Sequence, residues 1–275
     1  MPTTQELLER YRAVMPAFVS PLYETPISID RGEGGYVWDL EGNKYLDFFG
    51  GILTTMIGHS VPEVVSAVQE QAAKVMHTST LYLNEQVVAF AEEVAATSGI
   101  PDARVLFTTS GSEANDTAIL IATNYRRSNQ VLAMRNSYHG RSLTSQAVTS
   151  HRSWLTSSYS GLDVHFVQGP YRLRSPFREL DDDSFTQACV SDLVQLLDMT
   201  DAGGFAALIA ERKRILLSGS GPPVLTETDI SLPRREKTFA FFLSCAPLRC
   251  IIFLNLEWPA IFLFINILFV ISKVF

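Results

Sequence analysis

Apolar positions along this chain alternate between two spacings, and the alternation predicts the fold. Leu7, Leu8, Tyr11 and Val14 form one stripe of a short helix over Thr4 to Val14. Three short strand signals follow, Ile27-Ser28-Ile29, Tyr36-Val37-Trp38 and Lys44-Tyr45-Leu46. Gly32, Gly34-Gly35 and Glu41-Gly42-Asn43 separate them, which predicts a small antiparallel sheet or hairpin. Gly50-Gly51 and Gly58-His59 bracket a loop. Ser60-Val61-Pro62-Glu63 has the form of a capping box, and Val61, Val64, Val65, Val68 and Val75 carry a helical period behind it. Another helix is predicted over Glu85 to Ala96. Strands are then predicted at 104–108, 130–135, 163–167 and 205–210, with helices at 113–127 and 191–199. Strands and helices in turn imply an α/β fold, a mostly parallel sheet with helices on both faces. No internal repeat is present.

The pattern breaks near Glu211. Residues 1–211 carry 14 basic and 25 acidic side chains, a balance of −11, whereas 212–275 carry 8 and 4, a balance of +4, and hold 8 of the 17 phenylalanines. Ser218-Gly219-Ser220-Gly221-Pro222-Pro223 is a breaker cluster, and the chain is strongly apolar from about 239. Trp258 to Ser272 is uncharged over 15 residues; starting at Ile251 gives 22 residues but takes in Glu257. About 20 apolar residues are needed to cross a bilayer, so a tail anchor over 251–272 is the minor expectation. Arg234, Arg235, Lys237 and Arg249 would place the preceding side in the cytoplasm.

The net charge of −7 argues against a nucleic-acid surface. Cys189, Cys245 and Cys250 have no paired spacing, so neither a disulfide framework nor a zinc ribbon is expected. Thr3 to Arg12 lacks the apolar core of a signal peptide, and the expected location is cytoplasmic.

The richest chemistry lies at two predicted strand ends. Val105, Leu106 and Phe107 run into Thr108-Thr109-Ser110-Gly111-Ser112, and a helix opens at once with Ala114, Ala118, Ile119, Ile121 and Ala122. A strand, a tight Gly/Ser turn and a helix N-terminus together present unpaired N–H groups and the positive end of a helix dipole to an anion. No Gly-Lys-Ser/Thr follows and no Gly-x-Gly-x-x-Gly is present, which points away from a nucleotide and toward a smaller phosphorylated ligand. Asn136-Ser137-Tyr138-His139-Gly140-Arg141 directly follows the strand at 130–135. Residues in that position line the ligand crevice of an open α/β sheet. Tyr138 would stack on a flat ring with His139 at its edge; the alternative is a surface turn with a packed tyrosine. A phosphate cradle beside an aromatic plate suits a planar ring that bears a phosphate.

These residues resemble the class III (ω-type) aminotransferases of the fold-type I pyridoxal-phosphate enzymes. Gly35-Tyr36-Val37-Trp38-Asp39 with Asn43-Lys44-Tyr45-Leu46-Asp47 is similar to the family's N-terminal signature. Gly50-Gly51-Ile52, Gly58-His59 and Pro62-Glu63-Val64 match the next block. Ser110 to Asn115, Tyr138-His139-Gly140 and Ala207-Leu208-Ile209-Ala210-Glu211 complete the likeness, which runs from about residue 5 to Glu211. The resemblance implies pyridoxal 5′-phosphate as cofactor. It assigns Ser110, Gly111 and Ser112 to the phosphate, Tyr138 to the ring face, His139 beside it, and Glu211 to the ring side of the pocket. It implies amino transfer from an amino acid or amine to a 2-oxo acid, in a homodimer. It also implies three parts: a small N-terminal α+β portion at 1–50, a partial cofactor-binding large domain at 51–211, and an unrelated tail at 212–275.

The likeness stops where the family's chemistry should begin. Glu211 is followed by Arg212-Lys213-Arg214 rather than by proline and a glycine-rich loop, and no Asp-Glu-Val-type strand appears. The resemblance therefore leaves no aspartate for the pyridine nitrogen. The lysines are Lys44, Lys74, Lys213, Lys237 and Lys273, none in the context of a Schiff-base lysine, so no catalytic residue is assigned. Three expectations follow: a truncated and inactive relative, a non-catalytic dimer partner of a full-length paralogue, or a membrane-tethered binding protein. Missing strands would leave apolar sheet edges beside those ending at Thr109 and Arg135. His59 and His77 are expected to cap or pack, Asp181-Asp182-Asp183 to lie in a solvated loop rather than hold a metal, and Arg172, Arg174 and Arg178 to be exposed.

Overall fold

Leu132, between Val131 and Ala133, shows why a central strand of this protein is apolar without alternation: both of its faces are covered. In a computed structural model, which describes residues 2–19, 21, 23–98, 102–156, 159–169, 171–200, 204–212, 240–245, 251–254 and 261–266, the chain divides into two units, one within Met1–Leu83 and the other within Asn84–Ile267. Residues 52–53, 211–212 and the segments from 240 onward are described through their backbone alone.

In the first unit, α1 (Thr4–Val14) starts with a capping box between Thr3 and Glu6. β1 (Ile29–Glu33), β2 (Tyr36–Asp39) and β3 (Lys44–Leu46) form an antiparallel sheet in that order. Asp39 organises the β2–β3 turn, accepting hydrogen bonds from the Asn43 N–H at 2.8 Å and the Tyr45 hydroxyl at 2.7 Å. α2 (Gly50–Leu53) and α3 (Pro62–Lys74) follow. The capping box expected at Ser60 is absent. Ser60 takes a positive φ of 51°, Val61 occupies the N-cap, and no side chain caps the helix. Proline in the first turn already removes one N–H that would need a partner. His59 packs as expected, its ring beside Gly32 and its Nε2 2.7 Å from Asp47 Oδ2.

The second unit opens with α4 (Glu85–Ser98), β4 (Ala103–Thr108), α5 (Gly111–Arg126) and β5 (Gln130–Met134). It continues with α6 (Leu143–Ala147), β6 (Asp163–Val167), a 3-10 turn at Arg172–Arg174, α7 (Asp182–Thr200) and β7 (Ala207–Arg212). β6, β5 and β7 are parallel neighbours, with β5 in the middle. Ala114, Ala118, Ile119 and Ala122 of α5 pack with Val131, Ala133 and Ile209, while Leu132, Val167 and Leu208 pack with Leu193, Leu196 and Leu197 of α7. Odd and even positions of β5 and β7 thus face different helices, as the pleat requires.

Three expectations change. The helix predicted at 191–199 begins at Asp182, and Asp181, expected in a loop, accepts the Ser184 N–H at 3.0 Å as its first turn forms. Carboxylates are favoured at a helix N-terminus, where N–H groups lack partners. Arg172, expected to be exposed, is half-buried and pairs with Asp182. Of the edges expected bare, both edges of β5 and one edge of β4 are paired. The tail contributes β8 (Ala240–Cys245) parallel to β7, β9 (Ile251–Leu254) antiparallel to β8, and β10 (Ile261–Asn266) parallel to β4, while β5 lies between β6 and β7. Among the described residues no helix is long and apolar enough to cross a membrane. The breaker cluster at 218–223 lies outside the described residues.

α5 ends at Arg127, which adopts the left-handed conformation (φ 53°, ψ 37°) while its N–H bonds the Thr123 carbonyl. A Cβ is unfavourable there, and glycine is not. Arg127→Gly is expected to raise the unfolding free energy by about 0.5 kcal/mol, read by urea denaturation, since relief of left-handed strain exceeds the added unfolded-state freedom.

Candidate functional site

The site is built where α5 begins and where the chain leaves β5. Ser110 sits at the N-cap in extended conformation, and its Oγ accepts the Glu113 N–H at 3.1 Å. Glu113 turns back to accept the Thr109 N–H at 2.8 Å and the Thr109 hydroxyl. These bonds from Thr109 hold its carboxyl below the usual glutamate range. The Ala114 N–H bonds the Ser110 carbonyl. The first N–H groups of a helix have no partner within it, so among the described residues those of Gly111 and Ser112 remain available once Ser110 has taken the third.

The loop after β5 closes onto this turn. Asn136 takes a φ of 62°, a conformation asparagine tolerates, and the Ser137 carbonyl accepts the N–H groups of Ser150 and His151. The Arg141 N–H donates to Ser112 Oγ at 3.1 Å, and Asn115 Nδ2 donates to the His139 carbonyl at 2.6 Å. Gly140 has a φ of +134°, and a Cβ placed on it would lie 2.3 Å from Ser112 Oγ. Glycine is required twice over, for the backbone angle and for the contact. Gln146, buried, donates to the Gly140 carbonyl at 3.2 Å and the Trp154 carbonyl at 3.1 Å, and accepts the Thr156 N–H at 3.0 Å. Tyr138 is half-buried, its ring tilted 56° against Trp154 with centroids 5.6 Å apart.

His139 is 3% exposed, its N–H bonds Thr149 Oγ1 at 3.0 Å, and neither ring nitrogen has a partner among the described residues. Burial lowers its pKa to about 4, so the ring is neutral at physiological pH.

Two hydrogen bonds, from the Arg141 N–H to Ser112 and from Asn115 to His139, thus tie the segment that carries Ser110, Gly111 and Ser112 to the loop that carries Tyr138 and His139. Glu211 lies on β7, paired with Ser244 of β8, and its side chain is outside the described residues. Sequence reasoning gave no role to Asn115, Asp116, Ser145, Gln146 and Thr149. All but Asp116 are buried polar residues. Their signal was there: an asparagine on an apolar helical stripe, and a run of hydroxyl residues from Ser142 to Ser150 too short in apolar content to read as a helix.

Residues 19–215 match the family model of the class III aminotransferases. This chain belongs to the class III aminotransferases. Acetylornithine aminotransferase of Methanothermobacter thermautotrophicus is 34% identical over 169 residues, 61% of this chain and 42% of that protein. Among solved structures, an (S)-enantioselective ω-transaminase from Thermomicrobium roseum superposes with a TM-score of 0.67 at 28% identity, over 77% of this chain and 50% of that one. An amine transaminase from an uncultivated Pseudomonas species, in its PLP-bound form, superposes with a TM-score of 0.63 at 28% identity, over 72% and 47%. The chain thus spans about half the length of the relatives it matches. Class III aminotransferases use pyridoxal phosphate, and the likeness places the chain among the fold-type I transaminases, of which it covers part.

The buried histidine sets a pH dependence. The unfolded ring takes a proton near pH 6.5, the folded ring only near 4. Its contribution is thus complete above pH 6.5 and is lost as pH falls toward 4, by about 3 kcal/mol in all. Stability of the wild type should therefore fall more steeply from pH 6.5 to 4.5 than that of His139→Gln. Parallel curves from denaturant titrations at each pH would refute this.

Proposed function

We propose that this chain binds pyridoxal phosphate where α5 meets the loop after β5, and that it serves amino-group transfer from an amino acid or amine to a 2-oxo acid. Ser112 carries the reading. Its N–H and that of Gly111 would hold phosphate oxygens. Its Oγ already accepts the Arg141 N–H, and a hydroxyl has one proton to give. That proton is available to the phosphate. The Gly140 contact supports the fit: the cradle has no room for a side chain on its second lip. Tyr138 would lie on the ring face, with neutral His139 beside it and Glu211 on the ring side. Bound pyridoxal phosphate supplies an electron-poor ring that stabilises negative charge at the substrate carbon as its proton leaves.

The described residues within Asn84–Ile267 include no lysine. We infer that the 275-residue chain alone does not turn over. The amine that moves the proton would come from a second, full-length subunit in a dimer, whose other substrate contacts would also select the donor. Localisation is proposed as cytoplasmic.

Pyridoxamine phosphate tests the cradle, because it has the ring and phosphate but no aldehyde to react with surface lysines. Calorimetry should show binding that inorganic phosphate competes away, with Ser112→Ala weaker by about tenfold, the loss of one hydrogen bond to a charged group. Equal affinity of the two proteins would sink the phosphate assignment. In a coupled assay with an amine and a 2-oxo acid, the isolated chain should give no product above the rate of free pyridoxal phosphate. Sustained turnover would overturn the claim of inactivity.

A further inference from the structure

Asp116 stands one turn beyond Ser112 on α5, and Asp116 Oδ1 accepts two hydroxyls, from Ser142 at 2.7 Å and from Ser145 at 3.0 Å. Ser145 is fully buried, and its Oγ also lies 3.3 Å from the Ser112 carbonyl. The two serines belong to the stretch that begins with Gly140, packed on Ser112, and Arg141, whose N–H bonds Ser112 Oγ. By charge alone, a carboxylate one turn from an anion cradle opposes phosphate binding, since like charges at such a distance repel. Its two hydroxyl bonds give it a different use. A carboxylate only accepts, so Ser142 turns its proton to it and Ser145 divides its one proton between it and the Ser112 carbonyl, which fixes the loop against the first turns of the helix.

We infer that Asp116 is a positioning residue of the cradle: it clasps 142–145 to α5 and so holds the Arg141 N–H on Ser112 Oγ, without touching the cofactor. This rests on the cofactor reading above. The clasp and the charge act on affinity with opposite signs, and two variants separate them. Asp116→Asn keeps an oxygen for the serine hydroxyls and removes the charge. Asp116→Ala removes both.

The test is the affinity of the full chain for pyridoxamine phosphate, together with hydrogen exchange of the Arg141 amide in the ligand-free protein. Asp116→Ala is expected to bind about tenfold more weakly, equivalent to about 1.4 kcal/mol, and to expose the Arg141 amide. Asp116→Asn is expected to bind as well as the wild type or better, with that amide still protected. A residue that merely stabilised the fold would lower the melting temperature without dividing the two variants in this way. If Asp116→Ala does not fold, Ser142→Ala takes its place, with about a threefold loss expected. Wild-type affinity in the variant that lacks the clasp, with an unchanged Arg141 amide, overturns the positioning role and leaves the cofactor reading intact. Failure of the wild type itself to bind pyridoxamine phosphate overturns both.

Discussion

The contact between Gly140 and Ser112 is the constraint around which the second unit is arranged. No β-carbon fits between them, so the loop leaving β5 and the turn leaving β4 meet backbone against side chain. Such an approach is stable only if the polar groups it buries are paired, because an unmet buried donor or acceptor costs about 1–3 kcal/mol. The neighbouring residues supply the pairs: Asn115 for the His139 carbonyl, Gln146 for that of Gly140, Thr149 for the His139 N–H and Ser112 for the Arg141 N–H. The ring nitrogens of His139 stand outside this settlement.

α5 works in two directions. Toward the sheet it shows Ala114, Ala118 and Ala122, whose small size lets the helix lie close over Val131 and Ala133. At its start it shows N–H groups. The same rigid cylinder that closes the core therefore aims those N–H groups, and the loop after β5 is aimed by the strand beneath it. A site on the ends of packed elements moves only if the core moves.

Elements with a strong period were legible. The helix at Thr4–Val14, β2, β3, β4, α5, β5 and β6 all lie within a residue or two of where their apolar spacing puts them, whereas β1, expected at 27–29 and closed off by Gly32, runs from Ile29 to Glu33 through that glycine. Polar side chains that face inward were not legible. The first two turns of α7 escaped because Asp182, Asp183 and Ser184 read as solvated, yet they open a helix whose apolar residues come later. α6 escaped because its one buried face is polar, with Ser145 and Gln146 held by hydrogen bonds rather than by apolar contact. The turn before α5 was legible because glycine and serine between an apolar strand and an apolar helical stripe mark a helix start, with Ser110 at the N-cap. Its clasp was not, because Asp116 on a helix surface looks like any solvated acid until the serines 26 and 29 positions away fold onto it.

The absence of lysine among the described residues of the cradle-bearing unit has an analytical use. Aldehydes condense with amines, so this stretch is a natural blank for reductive tagging. A borohydride-fixed adduct would map to Lys44, Lys74 or the tail lysines, or else to another polypeptide. Peptide mapping of this one chain thus becomes a directional probe, reporting which neighbour reaches into the site.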